Sequence, residues 1–194
     1  MSLLQQAKFM LLLTSSHDII RRYFIVNGFD GALTMLGLII GFLVSTPAEL
    51  SLIINACLGA AIALGVSGVS SAYVSESAER KRALGKLEDA MISNLQESAH
   101  GEAARVAPVL VALVNGSAPL IISLLILTPL WLANAGILLP LPPLHAAIIV
   151  ALLLVFLLGV FLGRIAGVSW LRSGIQTLLV AIVTAALIYL FAGA

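Results

Sequence analysis

The chain has 194 residues, 61% hydrophobic and 10% charged, with a net charge of +1 and a mean hydropathy of +1.14. Soluble domains carry about a quarter of their residues as charge, so this composition excludes a water-soluble globule and calls for a bilayer as solvent. The length suits a single membrane domain, 1–194, with short loops and no second folded unit.

The first apolar stretch, Phe9 to Leu13, is too short to cross a membrane and lacks a small-residue cleavage site, so no signal peptide is expected. The amphipathic segment before Arg21 reads as interfacial. Five longer apolar segments reach or approach the roughly 20 residues that cross a hydrocarbon core. They predict spans at about 24–46, 50–75, 106–133, 144–164 and 172–193. Thr46-Pro47 breaks the chain after the first, and the three prolines between Leu139 and Pro143 break it after the third. Between the second and third lies the one substantial polar stretch, 76–105. There Leu84, Leu87, Met91 and Leu95 recur at helical spacing with charges on the other faces. The predicted fold is therefore all-α: a polytopic membrane protein of five transmembrane helices with one cytoplasmic amphipathic helical segment. That segment either lies along the surface or prolongs the second span.

The cations set the expected orientation. Lys8, Arg21 and Arg22 precede the first span; Arg80, Lys81, Arg82, Lys86 and Arg105 separate the second from the third; Arg164 and Arg172 flank the last turn. Cationic loops stay cytoplasmic, which predicts an integral, multi-pass protein with its N-terminus inside and its C-terminus outside, in the cell membrane if the source is prokaryotic.

Asp30 is the most informative residue. Counted from Arg22 at the membrane interface, it lies roughly 12 Å along the first span. An ionisable group within the apolar layer costs on the order of 3 kcal/mol on insertion scales and marks an ion or proton route. The competing reading is a helix anchor near the headgroups. Thr34, Gly37 and Gly41 follow on the same face. Ser67, Ser70 and Ser71 continue a small-residue face of the second span, which suits either close helix packing or a hydroxyl-lined cation path. Asn27, Asn115 and Gln176 are intramembrane amides, read either as interhelical hydrogen bonds or as path lining. Gly159, Gly163 and Gly167, like Gly37 and Gly41, carry the four-residue spacing of helix association. Cys57, alone in an apolar run, reads as a small buried hydrophobe. The acids Glu76, Glu79, Glu88, Asp89, Glu97 and Glu102, with His100, offer oxygen and imidazole ligands or form a solvated helix face. No phosphate loop, nucleophile elbow or His–Ser pair is present, so no enzyme, no cofactor and no nucleic-acid partner are expected.

The run from Arg21 through Asn27-Gly28-Phe29-Asp30-Gly31 to Thr34 resembles the entry motif of the vacuolar iron transporter family. Ser67…Tyr73-Val74-Ser75…Glu79 is similar to that family's second-span motif, with Gly68 in place of its methionine. Gly116…Pro119-Leu120 matches the third span, and Gly159 through Arg164 with Ser173-Gly174 the last two. The resemblance implies a homodimeric exporter of Fe²⁺ or Mn²⁺ driven by proton entry, in contact with the lipid bilayer. It implies metal-handling roles for Asp30 and Thr34 in the span and for Glu76 and Glu79 at the cytoplasmic entry. Asn27, Ser67, Ser70, Ser71 and Asn115 would line the path. The alternative is a non-transporting scaffold or partner subunit of the same fold.

Overall fold

A computed structural model describes residues 16–45 and 47–192, with side chains at 21–45 and 47–191. Among them the structure is all-helical, with 86% helix. Its elements are α1 (Ser16–Val44), α2 (Leu50–Met91), α3 (Ala99–Asn134), α4 (Pro143–Ile165) and α5 (Trp170–Ala192). All five are long and apolar enough to cross a membrane. The interfacial segment expected before Arg21 falls largely outside the described residues.

The helices end where local chemistry ends them. Pro142 and Pro143 open α4, where a missing N–H costs no intrahelical bond. Ser98 caps α3, its Oγ accepting from the Gly101 N–H. Helix α3 closes with Gly136 in the left-handed region and a hydrogen bond from the Ile137 N–H to the Leu132 carbonyl. Helix α4 closes the same way, with Gly167 at φ 68° and the Val168 N–H bonded to the Gly163 carbonyl. Both are Schellman closures, which need a residue tolerant of positive φ. Gly167 thus ends a helix, and nothing lies within 4 Å of where its side chain would start; the packing run is Gly159 and Gly163 alone.

The polar stretch 76–105 is divided among three elements. Residues 76–91 prolong α2, 92–98 form a turn, and 99–105 begin α3. No proline interrupts the charged part of α2, and its Ala, Leu, Glu, Lys and Arg residues are strong helix formers. The helix stops at Ile92, which adopts φ 51°. The Glu88 carboxylate then accepts the Leu95 N–H at 2.8 Å and fastens the turn.

By contacts the chain forms two compact units, and α2 and α3 run through both. The first joins 16–24 with Gly65–Ser117; the second joins Ile25–Leu64 with 118–192. In the first, α2 and α3 cross at their backbones. A methyl added at Gly68 would lie 3.0 Å from the Gly116 Cα, and one added at Gly116 would collide with the Gly65 carbonyl and Val69. Buried Asn115 donates its Nδ2 hydrogen to the Gly68 carbonyl at 2.7 Å across this crossing. In the second unit, Gly31 of α1 abuts the backbone of Pro119, Gly28 meets Leu158 and Ile122, and Gly37 meets Ile188. Helices α4 and α5 form an antiparallel hairpin. Gly159 admits Thr177, whose hydroxyl donates to the Val155 carbonyl at 3.2 Å, and Gly163 admits Ser173.

Helix α3 contains Pro108, Pro119 and Pro129, each of which leaves a carbonyl one turn back without its helical donor. At the third, the Thr128 hydroxyl donates to the Leu125 carbonyl at 2.7 Å and replaces the lost N–H.

Candidate functional site

Helix α1 is divided lengthwise by burial. Ile25, Gly28, Ala32, Met35, Leu36 and Ile39 form a buried side. The opposite side carries Tyr23, Val26, Asn27, Asp30, Thr34, Gly37 and Gly41, and none of these is buried. Asp30 sits at the midpoint of this 29-residue helix and is exposed. Asn27 and Thr34, three residues before it and four after, flank it half-buried on the same stripe. One carboxylate, one amide and one hydroxyl therefore share a face that is not buried among the described residues. Arg22 lies near the start of the helix, with its guanidinium 5.8 Å from the Tyr23 ring centroid.

The other expected site residues stand apart from one another in role. Glu76 is buried, and its Oε2 accepts from the Arg80 Nε at 3.3 Å, one turn along α2. An incoming cation would have to displace that guanidinium. Glu79, three residues further along the same helix, is exposed. Ser67 is exposed. Ser70 and Ser71 donate their hydroxyls back to the Val66 and Gly68 carbonyls of their own helix. Asn115 spends its amide on the α2–α3 crossing. Among the described residues no three His, Cys, Asp or Glu side chains are gathered to hold a metal ion.

Gly68 stands where the resembled motif has methionine, and the crossing supplies a physical reason. A side chain there would press on the Gly116 Cα at 3.0 Å and the Asn115 carbonyl at 3.2 Å. The close approach that Asn115 exploits leaves no room for a thioether.

A relative from Methanocaldococcus jannaschii, "Uncharacterized protein MJ0645", is 30% identical over 172 residues, covering 87% of this chain and 86% of its own. The chain belongs to that protein's family. The alignment extends over most of both chains, so the relationship takes in the membrane-length helices and not one motif. No protein-family model matches the chain, and no solved structure matches it.

Sequence reasoning singled out Asp30 and its stripe but missed the tight glycines. Gly31 and Gly116 make the closest backbone approaches between helices, yet they lack the four-residue spacing that drew attention to Gly37 and Gly41. Their signal was a neighbour: Gly31 adjoins Asp30, and Gly116 adjoins Asn115.

Proposed function

We propose that this protein carries a divalent cation of the Fe²⁺ or Mn²⁺ class out of the cytoplasm in exchange for protons, as a homodimer. The reading rests on one observation: an exposed carboxylate at the midpoint of a membrane-length helix, on the side that is not buried among the described residues. Facing lipid, that carboxylate would cost on the order of 3 kcal/mol. A second copy placed against the same stripe removes it from lipid and brings two Asp30 carboxylates to one axis, with Thr34 and Asn27 beside them. Gly37 and Gly41 on that stripe let two backbones come close. Two carboxylates suit a doubly charged cation, and protons that neutralise them displace it. The resemblance to vacuolar iron transporters agrees with this chemistry. In the accompanying orientation the N-terminus is cytoplasmic, the C-terminus is outside, and the ends of α2 and α3 around the 92–98 turn project into the cytoplasm. Glu79 would there be the free acid at the entry, with Glu76 held by Arg80.

A second reading, a non-transporting scaffold or partner subunit, draws on the Gly68 crossing, where helix packing occupies the position of a soft ligand. Flux into proteoliposomes separates the two. Asp30→Asn keeps shape and removes charge, and it should abolish proton-linked Fe²⁺ and Mn²⁺ flux with folding intact. Glu49→Gln, an exposed acid between α1 and α2, should leave flux unchanged. Wild-type-like flux in Asp30→Asn refutes the carboxylate mechanism. No flux in the wild-type protein favours the scaffold.

A further inference from the structure

The first unit contains an open groove of about 590 Å³ where the end of α2, the 92–98 turn and the start of α3 meet. Tyr73, Ser77 and Lys81 follow one another at four-residue steps along α2 and form one wall. Arg105 of α3 stands on the other, and Gln96 closes the end from the turn. The lining contains two cations, two hydroxyls and an amide, and no carboxylate. This is notable in a stretch so rich in acids. Glu76 is held by Arg80 and Glu88 by the Leu95 N–H, so two carboxylates of the α2 wall's own helix are already engaged. Gly101 makes the groove possible, because a methyl there would collide with the Leu95 and Gln96 carbonyls.

The donor set is that of an anion site. Lysine supplies a compact charge, and arginine a planar fork matched to phosphate oxygens. The groove begins at Tyr73, where the apolar run of α2 gives way to charge. Tyrosine favours the level of lipid headgroups, and basic pockets between spanning helices hold phosphorylated headgroups. Leu84 adds an apolar patch to the wall. We propose that this groove binds one phosphate-bearing anion between Lys81 and Arg105, supplied either as the headgroup of an anionic phospholipid or as free phosphate. The site needs only that α2 and α3 cross a membrane. It does not depend on cation transport.

The test uses the full chain in nonionic detergent and in nanodiscs. Bound lipid is counted by native mass spectrometry after titration with phosphatidylglycerol or phosphatidylcholine, and thermal midpoints are read with and without inorganic phosphate. The wild-type protein should retain phosphatidylglycerol over phosphatidylcholine or be stabilised by phosphate. The first result alone assigns the headgroup; stabilisation by phosphate that also displaces the lipid assigns free phosphate. Lys81→Gln/Arg105→Gln should weaken binding about 25-fold, at about fivefold per cation. Arg82→Gln/Lys86→Gln removes two exposed cations of the same helix that do not line the groove, and should weaken it far less. Ser77→Phe fills the groove without changing charge and should reproduce the loss, which guards against a folding defect in the charge variant. Equal losses in the two charge variants, full binding by Ser77→Phe, or no anion preference in the wild-type protein overturns the proposal.

Discussion

One substitution made at three positions of α1 should have three different outcomes. Replacing glycine by alanine in a helix gains about 1 kcal/mol of intrinsic propensity, so any loss must come from what the new methyl meets. At Gly41 nothing of the same chain lies within 4 Å, and in the dissociated chain the gain stands alone. At Gly28 the methyl meets the Leu158 Cδ1 and Cδ2 atoms at 3.3 Å, and both can swing aside; the change should be close to neutral. At Gly31 it would lie 2.7 Å from both the Cα and the carbonyl oxygen of Pro119, and backbone cannot swing aside. Overpacking of this kind costs up to about 3 kcal/mol, which leaves Gly31→Ala destabilised by about 2 kcal/mol after the propensity gain. Unfolding in mixed dodecylmaltoside and sodium dodecyl sulfate micelles, followed by far-UV circular dichroism at low protein concentration, measures all three. The expected order of stability is Gly41→Ala, then Gly28→Ala, then Gly31→Ala. If Gly31→Ala matches Gly41→Ala, α1 does not press on the α3 backbone and the packing of the second unit is wrong as described.

Four further outcomes follow from the same structure. Asn115→Leu should lose about 1 kcal/mol with its bond to the Gly68 carbonyl, whereas Ser123→Ala, which removes a buried hydroxyl that has no hydrogen-bond partner, should be neutral or stabilising in the same assay. Ile92→Gly should raise stability by about 1 kcal/mol, because a β-branched residue holds a left-handed conformation there that glycine adopts freely; an unchanged unfolding midpoint would count against it. In a Cys57→Ser background, Ser93→Cys and Leu138→Cys should react with an impermeant maleimide from opposite faces of the membrane, and labelling of both from one face would sink the five-span arrangement.

The five apolar helices were legible because membrane crossing imposes length and hydropathy, and both are written along the chain. The breaks at Pro47 and Pro143 were accessible through the same local chemistry. The extent of α2 was legible only as one of two alternatives, since hydropathy falls at Glu76 while helix propensity does not, and neither signal says whether the backbone bends there. Within the candidate site, Asp30 stood out as a charge among apolar residues. The engagement of Glu76 by Arg80 follows helical spacing and was available in principle. The bond from Asn115 to Gly68 joins residues 47 apart in sequence, and no periodicity announces such a partner.

The second unit is stitched from distant parts of the chain, and this bears on how it is made. The buried side of α1 finds Pro119 and Ile122 in the middle of the chain and Leu158 in α4, and Gly37 on its other side finds Ile188 in the last helix. During synthesis, at about 5–20 residues per second, α1 therefore enters the bilayer many seconds before its final neighbour exists. Gly31 and Gly28 gain Pro119 and Leu158 as α3 and α4 arrive, but Gly37 has nothing to admit until α5 follows. Every molecule made passes through this intermediate. A ribosome stalled before α5 would leave it in the membrane permanently, because Gly37 can meet Ile188 only after the last helix has been inserted.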